Sequence, residues 1–499
     1  MGKVTGFMEV GRKLPKRRSV SERVHDWQEI YLPWEEKDAR EQAGRCMDCG
    51  IPFCNNGCPL GNLIPEWNDL VYHGNWEEAI ARLHATNNFP EFTGRICPAP
   101  CEPACTLTIN EDAITIEMIE KAIAERAWKE GWIKPEPPET RTGKKVAVVG
   151  SGPAGMAAAQ QLNRAGHYVT LFERSEYVGG LLMLGIPDFK LEKHVVQRRV
   201  DQMIAEGIEI RTSTNVGEDI STDDLLKEFD AVCLSGGSTV PRDLPIAGRD
   251  LDGIHFAMDY LTQQNRRNKG QEFSPEETIT AEDKNVVIIG GGDTGADCLG
   301  TAHRHGAKQV IQFEILPRPS EERPSVNPWP QWPLTFRASA AHEEGGVRDF
   351  NVMTKEFVGE NGKVKRLDCV RVEWKPSSNG GRPDMVEVPG SEFSIDADLV
   401  LFAMGFLHPQ HNGLLDQLGV EYDARGNVKT NTLMMSNVDG VFACGDMQRG
   451  QSLVVHAIAS GRMCARAMDL WLMGESRLPT VRGYARPVTH LESKEGAPA

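Results

Sequence analysis

One pattern, written twice, limits what this chain can become. "KKVAVVGSGPAGMAAAQQLNRAGHYVTLFE" (144–173) and "KNVVIIGGGDTGADCLGTAHRHGAKQVIQFE" (284–314) each run from a strand through a glycine-rich turn and a helix to a second strand ending in glutamate. A further apolar run closing on glycine follows each copy, "FDAVCLSGGS" (229–238) and "ADLVLFAMGF" (397–406). Short runs apolar throughout, alternating with helices, are the signature of parallel strands buried on both faces. Two sheets of the dinucleotide-binding type are therefore expected, related by an internal repeat.

The glycines have separate duties. Gly150 permits the tight turn, Gly152 lets backbone approach a pyrophosphate, and Gly155 lets helix and strand pack closely. Pro153 and Ala154 open the helix, whose free N–H groups and positive end favour an anion. Glu173 follows Gly150 by 23 residues, where a carboxylate accepts from ribose hydroxyls. In the second copy Gly290, Gly292 and Gly295 repeat the turn, Asp293 and Thr294 open the helix, and Glu314 ends the strand after a spacing of 24.

The C-terminal segment distinguishes the two copies. "GVFACGD" (440–446) resembles the second flavin signature of two-dinucleotide flavoproteins, in which Gly445 and Asp446 reach the ribityl and pyrophosphate of FAD. Ser452, Leu453 and Val454 then begin a helix whose N-terminus favours an anionic reduced flavin. FAD is accordingly expected on the first fold and the nicotinamide coenzyme on the second. Gly180 and Leu181, in "YVGGLLMLGIPDFKL", form a loop that lets backbone approach a flat ring. Glu314 suits a free 2′-hydroxyl and repels a 2′-phosphate, favouring NADH over NADPH on charge alone, although Arg318 and Arg323 stand within reach to receive a phosphate. Hydride transfer between the two rings needs no protein acid or base, and no catalytic residue is nominated.

Of twelve cysteines, seven lie between Cys46 and Cys105 and the other five scatter from Cys233 to Cys464. The five form no C-x-x-C pair, so a redox dithiol is not expected, and they read as small core residues. The seven are Cys46, Cys49, Cys54 and Cys58, the last followed by Pro59, and then Cys97, Cys101 and Cys105. Structural zinc is one reading of such spacing. Iron–sulfur clusters are the other, favoured by the Cys-Pro ending and by a neighbouring two-electron donor that needs one-electron acceptors. Around these cysteines the chain reads as amphipathic helices to about residue 133, and the proline-rich "IKPEPPETRTGKK" marks a boundary.

The net charge of -16, the lack of a long apolar run and the absence of a signal-peptide pattern lead us to expect a cytoplasmic protein that binds neither membrane nor nucleic acid. The basic run from Lys13 to Arg23 reads as a solvated terminal face.

"CMDCGIPFCNNGCPLGNLIPEWNDL", "FTGRICPAPCEPAC", the two glycine turns, "GGLLMLGIPDFKL" and "VFACGD" together resemble the glutamate synthase small-subunit family, from about residue 20 to about residue 475. Related modules occur at the N-terminal end of dihydropyrimidine dehydrogenase. The expected class is α/β: an N-terminal all-helical iron–sulfur domain (1–135), then two Rossmann-like domains. A discontinuous FAD domain (136–283 and 407–499, with the C-terminal tail) surrounds an inserted NAD(P) domain (284–406). The resemblance implies one 4Fe-4S cluster on Cys46, Cys49, Cys54 and Cys105. It implies a second on Cys58, Cys97 and Cys101, with Glu120 where the dehydrogenase has an amide ligand; an ordinary helix-surface role for Glu120 is the alternative. It further implies that NAD(P)H reduces FAD and that electrons pass through two clusters to a large subunit making glutamate from glutamine and 2-oxoglutarate. A second possibility is an input module for another acceptor, such as a ferredoxin-linked transhydrogenase. Because the chain opens Met1-Gly2, with no cysteine nucleophile, glutamine hydrolysis is expected of the partner. Many family members carry an Arg-Arg pair where Ile315 and Leu316 stand here, a departure that weakens the case for strict NADPH use.

Overall fold

A computed structural model describes residues 2–377 and 383–481. The expected C-terminal tail beyond residue 481 lies outside the described residues. Two five-stranded parallel sheets are present. The first contains β1 (Lys145–Val149), β2 (Tyr168–Phe172), β3 (Glu209–Arg211) and β4 (Ala231–Leu234), and is completed by β14 (Val441–Ala443) in the order β14-β4-β1-β2-β3. The second contains β5 (Ile254–Phe256), β6 (Asn285–Ile289), β7 (Gln309–Glu314), β8 (Val347–Phe350) and β13 (Leu399–Phe402), in the order β5-β13-β6-β7-β8. Each glycine turn follows the central strand of its sheet. Val146, Ala147 and Val148, like Val287 and Ile288, are fully buried or nearly so, as a strand covered on both faces requires.

The segment after the second fold returns to the first sheet, because Val441 to Ala443 pair in parallel with Val232 to Leu234. One boundary differs from the sequence reading. β5, grouped with the FAD domain by sequence, pairs with β13 of the second sheet. The chain crosses between folds where Pro241 bridges Phe406, so the second fold begins near residue 241 instead of 284. A three-residue strand without a glycine turn carries too little pattern to announce which sheet it joins. Between β8 and β13, β9 (Val352–Glu360), β10 (Lys363–Lys375), β11 (Asp384–Glu387) and β12 (Phe393–Asp396) form a small antiparallel sheet over Phe357, Leu367 and Phe402.

The N-terminal region is helical. Helix Ile64–His73 starts with Pro65 in its first turn and stops at Gly74, whose φ of 84° ends the helix in the left-handed form. Helix Ile116–Lys129 turns Ile119, Ile123 and Ala127 into the core. Docking onto the first fold is polar and buried: Glu91 takes two hydrogen bonds from Arg199 at 2.6 and 2.7 Å, and neither residue is exposed. Asn88 joins Gln160 and Arg462.

The basic N-terminal run is a solvated face only in part: Lys13 and Lys16 are exposed, whereas its arginines are drawn into the fold. Arg23 is 1% exposed and pairs with Glu344 of the second fold, which also holds Arg304. Arg17 pairs with Glu343 and Arg18 with Asp26. Cations close in sequence read as a patch; the carboxylate partners of Arg17 and Arg23 lie more than three hundred residues away and leave no local signal.

Candidate functional site

Cys46, Cys49, Cys54 and Cys105 line one cavity, walled by Phe53, Ile64 and Ile114 among other apolar groups. Asp48, between the first two, has a φ of 50°, a left-handed turn that lets closely spaced cysteines face one centre. Ala99 does the same between Cys97 and Cys101 at φ 53°, and its N–H points to the Cys97 sulfur at 3.4 Å. Burial pushes the Cys46 thiol up to about 12 and the Cys54 thiol higher still. A group held here must therefore bring positive charge of its own to favour thiolates. Only Cys49 of the seven is partly exposed.

Cys58, Cys97 and Cys101 gather separately. Burial first, with the charge of Glu120 adding to it, raises all three thiols, Cys58 to about 11; Glu117 adds at Cys97, and neighbouring cysteines add at Cys97 and Cys101. Glu120 is 6% exposed, which removes the helix-surface alternative. Burial raises its carboxyl to about 7 against hydrogen bonds from Thr93, Asn87 and Asn62. Those three donors all meet Oε1, at 3.0, 2.8 and 3.4 Å. The seven cysteines thus fall into two sets, and the donor chemistry of each suits a sulfur-ligated cluster.

The first glycine turn forms a cradle that side chains would fill. A Cβ on Gly155 would lie 1.9 Å from the Gly150 carbonyl oxygen, one on Gly180 3.1 Å from the Gly152 Cα, and one on Gly445 2.7 Å from the Ala154 Cβ. Leu181 begins the short helix beyond Gly180. Gly461, in the long helix Val454–Met473, crosses helix Pro153–Arg164 so closely that its own Cβ would meet the Ala154 carbonyl oxygen at 2.1 Å. Asp446 accepts from Ser452 Oγ at 2.7 Å, and burial raises its carboxyl. Leu453 caps the helix that Val454 opens. Glu173 accepts from the Ser151 and Ser175 N–H groups at 3.1 and 2.8 Å, so it braces the turn. This backbone-lined hollow beside a helix N-terminus fits a dinucleotide.

At the second turn Glu314 accepts from the Gly291 and Leu316 N–H groups, both at 2.9 Å. Helix Asp293–Arg304 begins there, with Gly292 as its cap and Thr294 and Gly295 in its first turn. A cleft of about 600 Å³ opens beside it, lined by Gly291, Gly292, Asp293, Glu314 and Arg348, and on the far side by Pro98 and Glu117 of the helical region. The cysteine segment and the second fold therefore share a wall.

Two features had no sequence signal. Trp329, from the second fold, donates to the Cys105 carbonyl at 3.3 Å and sets its ring 4.6 Å from that of Phe53, closing over the first cysteine set. Cys233, Cys444 and Cys464, scattered in sequence, converge in the first fold with sulfurs 3.6 and 3.7 Å apart. These are contact distances for thiols packed between strand and helix.

Comparison with known proteins agrees with this anatomy. Residues 144–461 match the pyridine nucleotide-disulphide oxidoreductase family, and residues 23–132 match dihydropyrimidine dehydrogenase domain II, 4Fe-4S cluster. FprA from Mycobacterium tuberculosis in complex with NADPH has the same fold over 67% of this chain and 87% of its own, with a TM-score of 0.52 at 18% identity. The chain is thus an oxidoreductase with a pyridine-nucleotide flavoprotein fold joined to a 4Fe-4S domain. It belongs to the glutamate synthase small-chain family. The glutamate synthase [NADPH] small chain of Mycobacterium tuberculosis is 57% identical over 97% of this chain and 99% of its own. The glutamate synthase [NADH] of Schizosaccharomyces pombe is 50% identical over 97% of this chain, which corresponds to 24% of that longer protein.

Among the described residues no helix is long and apolar enough to cross a membrane.

Proposed function

We propose that this chain is the electron-input subunit of glutamate synthase. NAD(P)H is oxidised at the second fold, FAD on the first fold receives the electrons, and two 4Fe-4S clusters carry them to a large subunit that makes glutamate from glutamine and 2-oxoglutarate. Bound FAD supplies the conversion from two-electron to one-electron chemistry. Gly150, Gly152, Gly155 and Asp446 hold its pyrophosphate region, and Gly180 admits its ring. Gly290, Gly292 and Gly295 hold that of the coenzyme. Cys46, Cys49, Cys54 and Cys105 ligate one cluster; Cys58, Cys97, Cys101 and Glu120 the other. In domain terms, residues 1–135 carry the clusters, 136–240 with the segment from 407 the flavin, and 241–406 the coenzyme.

One observation carries the reading: two cysteine sets sit in the same chain as two glycine turns, and Pro98, beside the ligand Cys97, lines the cleft of the second turn. The need for a large partner is supported by the Schizosaccharomyces pombe relative, in which the matching portion is about a quarter of one long chain.

The test is an anaerobic titration of the purified chain with NADH and NADPH, with iron, sulfide and flavin quantified and the clusters followed by electron paramagnetic resonance. Bleaching of the flavin with appearance of reduced-cluster signals is expected. Glutamine with 2-oxoglutarate should then drive coenzyme oxidation only when the large subunit is added. Oxidation supported by ferredoxin, and not by the large subunit, would favour the transhydrogenase alternative.

A further inference from the structure

The two glycine folds handle arginine differently. In the first sheet Arg211 lies on β3, beside the strand that Glu173 follows, and two carboxylates neutralise it, Glu209 at 2.8 Å and Glu228 at 3.9 Å. In the second sheet Arg348 lies on β8, beside the strand that ends at Glu314, and among the described residues it has no ion pair. Its hydrogen bond from Nη1 goes to the Arg337 carbonyl at 2.7 Å. Its guanidinium lies 4.7 Å from the centre of the Phe336 ring, and that of Arg318 lies 4.3 Å from the same ring. Arg348, Phe336 and Glu314 line one cleft.

We propose that Arg348, with Arg318 beside it on the Phe336 ring, receives the 2′-phosphate of the coenzyme, so that the second fold takes NADPH in preference to NADH. The proposal rests on reading that fold as the coenzyme site. It reverses the preference expected from the charge of Glu314, for a structural reason. Both Glu314 oxygens are engaged with N–H groups of the chain, Oε2 with Gly291 and Oε1 with Leu316, which draws the carboxylate under the turn. Burial and nearby Arg318 both act against the charge on Arg348, and Glu314 compensates only in part, so an added anion is favoured there. A dianionic phosphate accepts a forked pair of hydrogen bonds from Arg348 and relieves its repulsion with Arg318, whose own ion pair is with Glu321. The usual place for such cations, immediately after the strand, holds Ile315 and Leu316, 39% and 51% exposed. The adjacent strand supplies the charge from another direction.

The test is calorimetric titration of the purified full chain with adenosine 2′,5′-bisphosphate and with adenosine 5′-monophosphate. The wild type should bind the bisphosphate at least about tenfold more tightly, the least expected of a charge-assisted hydrogen-bonded contact. Arg348→Gln should bring the ratio to within about threefold of unity without weakening the monophosphate, as loss of that one contact predicts. Arg348→Lys, which keeps the charge and loses the fork, should fall between, and Arg211→Gln should leave the ratio unchanged. A wild-type ratio near one, or a ratio that survives in Arg348→Gln, overturns the proposal while leaving the coenzyme site intact. Failure of both nucleotides and of NADH to bind overturns the coenzyme-site reading itself, and this inference with it.

Discussion

The two glycine-turn folds have the same strand order around their central strand, yet each acquires its outermost strand differently. The first fold takes β14 from the chain that returns after the insertion; the second takes β5 from the chain that precedes its own turn. What surrounds each turn follows from that difference. The returning segment brings Gly445, Asp446 and the long helix Val454–Met473 hard against the first turn. The cleft found beside Gly150 and Glu173 is about 100 Å³, whereas the second turn faces one of about 600 Å³. A permanently held cofactor suits the first arrangement and an exchanging coenzyme the second. The same local motif therefore does different work according to what distant segments lay against it.

The largest expected effect sharpens that contrast. Gly155→Ala sets a Cβ 1.9 Å from a carbonyl oxygen, and should cost more than about 3 kcal/mol and most of the bound flavin, the severe end of overpacking. Gly295→Ala meets the Gln312 amide and the Gly290 carbonyl oxygen at 2.3 Å, and should cost less because that backbone contact is longer than the 1.9 Å at Gly155. Thermal unfolding with flavin quantification compares them; equal losses would mean that the turns are equally tight and would erase the distinction.

Next comes the attachment of the first fold to the cysteine region. Glu91→Gln leaves Arg199 buried without its counter-charge and should destabilise the protein by about 3 kcal/mol in denaturant unfolding. A negligible change would show that this docking is not what anchors the first fold.

A smaller, pH-dependent effect comes from Glu125, which meets Arg198 of the first fold and Arg95 of its own region. Burial acts to raise its carboxyl, but the two arginines outweigh burial and hold it at about 2. A depressed carboxyl contributes stability that is complete above its unfolded value of 4.5 and is lost as pH falls from there towards 2. Its side chain is 34% exposed, so screening reduces the contribution to about 1 kcal/mol. Glu125→Gln should remove that part of the acid sensitivity, seen as convergence of wild-type and variant stabilities as the pH is lowered from 5 to 3. Parallel curves would count against the pairing.

The smallest effect on stability belongs to Gly152→Ala and Gly292→Ala. Neither added Cβ has a neighbour within 4 Å, and both glycines have negative φ. Each should leave stability within about 0.5 kcal/mol, as unstrained substitutions do, while weakening nucleotide binding at its own site. Loss of both FAD and coenzyme from either variant would break the assignment of one nucleotide to each turn.

Much of the molecule was legible from residues close together in the chain. Turn chemistry marked the glycines, apolar runs marked β1, β4, β6 and β13, and cysteine spacing marked seven candidate sulfur ligands, because each depends on backbone geometry over a few residues; that Cys105 belongs with Cys46 was implied only by the family resemblance. Tertiary structure alone decided that β5 joins the second sheet, that Glu344 neutralises Arg23, that Trp329 covers the first cysteine set, and that Arg348 shares a cleft with Glu314 and, among the described residues, forms no ion pair. Such partnerships join residues remote in sequence. They are chosen by which surfaces the packed folds bring together, and no local periodicity records that choice.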